Sequence, residues 1–294
     1  MRKVCRLTPA LFRRAFFFWV LALPLLTARA AGPAPRPPEL SQAGKPDDAE
    51  AARLIEQFRG SGLPGDSFLE FELIGLPRRG EGPTLSGRWW GSRNQHGAVS
   101  RIEITDGQGV PHRFLLQNGE EAVVWRMGPA GPVRLGVEEV LAPLVPGVEV
   151  TAFDLQMPFL YWRGASVERI TRVLGRPAHA FLFPAPPGFA AGQADIGAAR
   201  AYLDTQFNVP MQTEVISRSG RVTRTLELLS LKTVERQTLP KSADYRNEVT
   251  RDKTRLQVRA AALNLQFPAS LFDPATLGEA APPPAADRLV RLDP

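Results

Sequence analysis

The sequence predicts a mainly β protein of the α+β class: one strongly curved antiparallel sheet of about eleven or twelve strands with a few helices across it. Three observations lead there. From Ser67 onward apolar residues recur with a period of two, in runs separated by Gly, Asn and Pro. Neither an alternating βαβ order nor a repeat of fixed length is present. One aromatic stretch, Thr151 to Trp162, fits neither a strand nor a long helix and interrupts the β pattern midway.

The first thirty residues give an address rather than structure. Arg2, Lys3, Arg6, Arg13 and Arg14 precede an apolar run from Ala15 to Leu26, and Ala28-Arg29-Ala30 has the small-x-small form of a cleavage site. The run is shorter than the ~20 residues a spanning helix needs and contains Pro24, which favours a cleaved secretory signal peptide (1–30) over a membrane anchor. The expected location is the periplasm of a bacterial envelope. Six basic residues and no acid leave with residues 1–30, so 30 Lys and Arg remain against 30 Asp and Glu. A neutral chain gives no reason to expect a nucleic-acid partner. Cys5, the only cysteine, also leaves, which excludes a disulfide framework, thiol chemistry and a lipid-attachment cysteine.

Residues 31–46 are rich in Pro, Ala and Gly and read as a disordered linker. Asp47 and Asp48 place acid at the positive end of a helix in which Leu54, Ile55 and Phe58 share a face, and Gly60 ends it. From Ser67 to Leu135 about six strands are expected. Leu69, Phe71 and Leu73 point opposite to Glu70 and Glu72, and Ile102 and Ile104 alternate with Arg101, Glu103 and Thr105. Asn118-Gly119 marks the turn between His112–Gln117 and Ala122–Met127. Trp89 and Trp90 must face opposite sides of their strand, so only one can face the interior.

Gly136 to Gly147 reads as a short helical or loop passage into the aromatic stretch. Six more strands are then expected, at 167–174, 178–184, 200–207, 212–217, 221–232 and 254–262. In the last, Leu256, Val258 and Ala260 alternate with Arg255, Gln257 and Arg259, as in a sheet with one wet face. The folded domain is expected over 47–278, with a flexible tail at 279–294.

Catalytic and metal signatures are absent. His96, His112 and His179 lack ligand spacing, and Glu120-Glu121 and Glu138-Glu139 sit in turn and loop sequence, where solvated charge is the default. There is no nucleophile elbow and no phosphate-binding loop, and Gly87 and Gly91 suit close strand approach. A non-enzymatic protein without cofactor or metal is expected. What remains is apolar. Phe153, Leu155, Met157, Phe159, Leu160 and Trp162, with Trp89 and Trp125, are the candidate wall and lid of a hydrophobic cavity, because a Pro-interrupted aromatic insertion closes a cavity more readily than it builds a core.

Several segments carry a family resemblance. They are Phe-Asp-Leu-Gln-Met-Pro-Phe-Leu-Tyr-Trp (153–162), Gly175-Arg176-Pro177-Ala178-His179-Ala180-Phe181-Leu182, Ala201-Tyr202-Leu203-Asp204 followed by Met211-Gln212-Thr213-Glu214-Val215, and the closing run from Phe267 to Leu277. They mark the run from Phe153 to Leu277, about half the chain, which resembles the outer-membrane lipoprotein-sorting protein family with the LolA/LolB-like fold. The resemblance implies an incomplete, eleven-stranded antiparallel barrel with a helical or loop lid. It also implies a cavity for lipid acyl chains or lipoproteins, a monomeric carrier, and an envelope membrane protein as partner. The carriers hold their lid closed with an arginine inside the barrel. Arg163 and Arg169 lie nearest the stretch, and the sequence singles out neither. The alternative is an envelope sensor or scaffold of the same fold, with a self-filled core and a protein partner.

Overall fold

The computed structural model describes residues 46–60, 62–63, 65–190, 195–206 and 209–292. The expected leader and all of the expected linker except Pro46 lie outside the described residues. Helix α1 (Asp48–Gly60) begins where the acids predict. The Asp47 carboxylate accepts from the Glu50 N–H at 2.8 Å, capping the first turn. Ala51 and Ile55, one turn apart, are buried against the sheet.

Two antiparallel meanders follow. The first comprises β1 (Asp66–Leu76), β2 (Thr84–Asn94), β3 (Gly97–Thr105), β4 (Pro111–Gln117), β5 (Val123–Gly128) and β6 (Gly131–Arg134). After α2 (Val137–Leu141), α3 (Ala152–Gln156) and a 3-10 turn (Pro158–Tyr161) come β7 (Ser166–Val173) and β8 (Arg176–Pro184). The short α4 (Pro187–Ala190) precedes β9 (Ala198–Asp204), β10 (Pro210–Ile216), β11 (Val222–Val234), β12 (Gln237–Asn247) and β13 (Lys253–Leu265), and β14 (Val290–Arg291) ends the sheet.

Pairing of β1 with β13 welds the meanders into one sheet, ordered β6-β5-β4-β3-β2-β1-β13-β12-β11-β10-β9-β8-β7, with β14 on β13. The path does not close, so the architecture is an open antiparallel sheet of fourteen strands where eleven or twelve were expected. The additions to the twelve are β12 and β14. Pro240 and the charges of β12 argue against a central strand, yet β12 pairs with β13 only over Ser242–Arg246, so Pro240 has β11 alone beside it.

Each face of the sheet has its own core. Phe71 and Leu73 of β1, Ile102 and Ile104 of β3, Phe114 of β4 and Phe181 and Phe183 of β8 belong to one cluster on the concave side. Gly87 makes room for it, since a Cβ there would sit 2.2 Å from the Phe71 ring. A bulge between β1 and β13, at Glu70/Phe71, shifts the parity of β13. The inward series Leu256, Val258 therefore continues at Ala261 and Leu263, not at Ala260.

The outer face is dry at one end. Phe68 and Trp90, both fully buried, meet edge to face at 5.2 Å beneath Phe267, Leu271 and Phe272. Trp89 turns to the concave core and Trp90 to the outer one, so both members of the pair are covered. Arg101, expected on a wet face, is 2% exposed and donates to the carbonyls of Leu271, Thr276, Leu277 and Glu279. Burial, with Arg113 nearby, lowers its pKa from the ordinary arginine value. Residues expected as a flexible tail also pack: Trp90 Nε1 donates to the Pro282 carbonyl at 3.2 Å, β14 pairs with β13, and Leu292 is buried.

Elsewhere the outer face is wet and internally neutralised. Arg259 meets Glu72 at 2.6 Å, and Arg255 and Lys253 both meet Asp244, at 2.7 and 2.8 Å. The stripe of Arg255 and Arg259 is thus a laterally paired face. Burial alone would push Asp244 up, but hydrogen bonds and charge from Arg255 and Lys253 outweigh it and hold its pKa below the ordinary carboxylate value. Its contribution to stability is present above about pH 4 and is lost as pH falls through the depressed folded value. Urea midpoints from neutral pH into the acid range should therefore fall less steeply for Asp244→Asn than for the wild type; equal acid limbs would contradict the assignment.

Candidate functional site

The aromatic stretch folds as two short turns set end to end. Thr151 starts α3 with a reciprocal cap: its Oγ1 accepts from the Asp154 N–H at 3.1 Å, while Asp154 Oδ2 accepts from the Thr151 N–H and hydroxyl at 3.0 and 2.8 Å. Met157 ends the helix in the left-handed conformation at φ 49°. Pro158 then occupies the first position of the 3-10 turn, where its missing N–H has no intrahelical role. The proline that makes a long helix unsuitable instead opens the second turn.

The two turns put their rings into the concave face. Phe153 is 1% exposed, Phe159 2% and Trp162 7%. Phe153 lies 5.8 Å from Phe159, 6.0 Å from Trp162 and 5.9 Å from Phe189 of α4, and Phe159 lies 5.8 Å from Phe183. Leu160 is buried, and Leu155 and Met157 are half-buried against the same cluster. The segment is a plug set into the sheet. Its contacts require strong curvature: Gln156 Nε2 donates to the carbonyls of Gln117 and Val123 at 2.7 and 3.1 Å, while three residues on Phe159 reaches β8. Flat, β4 and β8 would stand roughly 40 Å apart.

Of the two tryptophans proposed with the segment, half-buried Trp89 faces the concave core and packs against Phe71 at 6.5 Å. Trp125 does not join it. Val124 points inward, so its neighbour points outward, and Trp125 packs with Leu115 and Leu277 on the outer face. Phe181, Phe183 and Phe189, which complete the aromatic cluster, were not among the candidates.

The plug is held by a buried ion pair that neither Arg163 nor Arg169 makes. Arg224 of β11 reaches across the concave face and donates to Asp154 Oδ2 at 2.6 Å and to the Glu149 carbonyl. The two side chains are 13% and 7% exposed. Tyr245 of β12, also buried, is pushed above its ordinary pKa by burial first and by the Asp154 charge second. On the approach to the plug, the Glu149 N–H donates to Thr254 Oγ1 at 2.6 Å and Asn247 Nδ2 to Glu149 Oε2 at 3.1 Å. At the far end, Asn118 Nδ2 donates to the Gln156 carbonyl at 2.6 Å. Arg59 of α1 donates to the Leu160 carbonyl at 2.7 Å and lies 5.3 Å from the Tyr161 ring centroid.

Beside the plug, a groove of about 1180 Å³ runs between α1, the turn joining β2 and β3, and the end of β8. Ala51, Ile55 and Trp162 contribute apolar surface to it, and Arg59, Arg93 and Arg163 stand along it with Glu56, Glu120 and Glu121. His96 belongs to the same groove, His112 pairs with Asp106 at 2.8 Å, and His179 meets Phe181 edge to face at 6.2 Å. Among the described residues there is no group of three or more His, Cys, Asp or Glu able to hold a metal ion, and no helix long and apolar enough to cross a membrane.

Comparison with known structures places this fold. A domain from Vibrio parahaemolyticus, named for outer membrane lipoprotein sorting, aligns with a TM-score of 0.66 at 16% identity, over 78% of this chain and 97% of its own. A DUF1329 family protein from Desulfovibrio piger also gives 0.66, at 12% identity over 78% and 98%. A LolA superfamily protein from Nitrosomonas europaea gives 0.58, at 14% identity over 76% and 97%. A family model described as "Uncharacterized protein" matches residues 194–279, and no curated protein matches the chain. The resemblance read from the sequence holds at the level of fold.

Removing one partner of a desolvated ion pair strands the other, whereas removing both does not. Arg224→Met should therefore lower the unfolding free energy by about 3–5 kcal/mol in urea titrations, and Asp154→Asn/Arg224→Met should recover most of the loss. A double-variant loss equal to the sum of the Arg224→Met and Asp154→Asn losses would show that the pair is not coupled.

Proposed function

We propose that the protein is a non-enzymatic carrier of lipid acyl chains, free or attached to lipoproteins, working as a monomer in a bacterial periplasm. The observation that carries this reading is the plug itself: two short aromatic turns, pinned by an ion pair, occupy the concave face of an open sheet and adjoin an open groove. A guest that enters by the groove and displaces Phe153, Phe159 and Trp162 exchanges one apolar filling for another.

The magnitudes suit capture followed by release. Exposing three large side chains costs about 5–9 kcal/mol, and uncoupling the ion pair adds about 3–5. Sheltering a sixteen-carbon chain at ~0.8 kcal/mol per methylene returns about 13. The exchange is close to balanced, as a carrier needs if it is to give up its guest at an acceptor. Donor and acceptor at either end of the route, an envelope membrane protein among them, belong to the same proposal. The likeness to the lipoprotein-sorting domain and the LolA superfamily protein supports it through fold alone.

One observation favours a second reading. Phe153 and Phe159 are as buried as any core residue, which suits a sensor or scaffold whose cavity is permanently filled by its own side chains. Loosening the latch without stranding a charge separates the two. In a carrier, Asp154→Asn/Arg224→Met should bind a fluorescent fatty acid about tenfold more tightly than the wild type, since opening takes less free energy. In a scaffold, neither protein should take up the probe.

A further inference from the structure

We infer that the distal half of the β11–β12 hairpin is an arm that docks on an anionic lipid bilayer surface. Strand β11 pairs with β10 only as far as Glu227, and β12 pairs with β13 only from Ser242 onward. Between them, residues 228–241 form a two-stranded ribbon with no lateral strand on either side among the described residues. Ser230 and Ser242, with their hydroxyl oxygens 2.6 Å apart, mark its base. At the tip, Glu235 and Arg236 both adopt positive φ, 47° and 66°, in a two-residue turn.

The ribbon has two unlike faces. Val234 and Leu239 are buried and belong to the concave core, which fixes the arm against the body. The other side carries Leu229, 38% exposed, and Leu231, 42% exposed, with Leu231 directly across from exposed Pro240. Exposed Lys232 stands across from Leu239, at the rim of the opposite face, exposed Arg236 lies in the turn, and Lys241 adds a third basic residue to the same stretch. The single acid, Glu235, is engaged by Asn264 Nδ2 at 2.8 Å. On the rest of the outer face Arg255 and Arg259 stand directly against carboxylates. The arm combines two exposed leucines with three basic residues against one acid. Leucines that enter the interface while basic side chains meet phosphate headgroups are the chemistry of a surface-binding element, and charge complementarity selects anionic lipid.

The inference stands on the arm's geometry and not on the carrier reading. A protein that binds vesicles through the arm but takes up no fatty acid would keep the first and lose the second.

The test is co-sedimentation of the protein, purified from the soluble fraction of cells expressing the full sequence, with vesicles. One set is phosphatidylethanolamine with about a quarter phosphatidylglycerol, and the other is phosphatidylcholine alone. Binding is expected to the first set only, and to weaken as salt rises from about 0.1 to about 0.5 M. Leu229→Ser/Leu231→Ser and Lys232→Gln/Arg236→Gln should each reduce the bound fraction at least about fivefold. Val249→Ser, a control at an exposed apolar residue outside the arm, should leave it unchanged. All substituted side chains are exposed, so the melting temperature should stay within about 2 °C and a folding defect would be visible. Absence of wild-type binding, equal binding to both vesicle sets, or arm variants that bind like the wild type would overturn the inference. Crosslinking of the arm to an envelope protein without vesicle binding would do the same.

Discussion

An apolar concave face cannot be left to water, and the way this one is covered governs the rest of the molecule. Asp154 sits at the centre of the cover. Its carboxylate caps its own helix through Thr151 and is neutralised by Arg224 from a strand on the far side of the concavity. A charge so withdrawn from solvent is tolerable only while both sets of contacts persist, so local helix formation and the closed position of the plug depend on each other. The aromatic contacts from Phe153 through Phe159 to Phe183 then add area to a placement that the polar contacts have already oriented.

The same logic accounts for the two-sidedness of the sheet. Strands that curl around a plug leave an outer face of which part must stay dry. Here the segment after β13 folds back over Phe68 and Trp90, and the Arg101 guanidinium satisfies the carbonyls of its short turns. Beyond that patch, neighbouring strands pair their charges across the sheet, as at Arg259 and Glu72. The concave side thus holds the long aromatic cluster and its ion-pair latch, while the outer side is either capped or wet.

Much of this was legible in the sequence because a strand's period is two. Leu69, Phe71 and Leu73 could be set against Glu70 and Glu72, and Trp89 against Trp90, without knowing which strand lies next to which. What escaped depends on pairing. Arg224 is seventy residues from Asp154 and sits in an ordinary alternating strand, so nothing local marks it as the latch. The bulge beside Ala260 reverses a parity that the alternation carries straight on. Trp125 was grouped with the plug on its aromatic character, although its neighbour Val124 takes the inward position. Strand β12 was missed because Pro240 looks disqualifying until β13 is seen to turn away before reaching it. The apolar stretch itself was plain, but whether it lies over the sheet as a flap or within it as a plug is a property of the folded chain.

The central claim is that the segment from Glu149 to Trp162 is a displaceable filling of the concave face. Hydrogen–deuterium exchange of the wild-type protein with and without a saturating long-chain fatty acid tests it most directly. The account predicts that amides of 149–162 lose protection when the fatty acid is present, while those of β1 and β13, at the weld of the two meanders, keep theirs. Unchanged protection across 149–162 in a protein shown by native mass spectrometry to hold the fatty acid would contradict it.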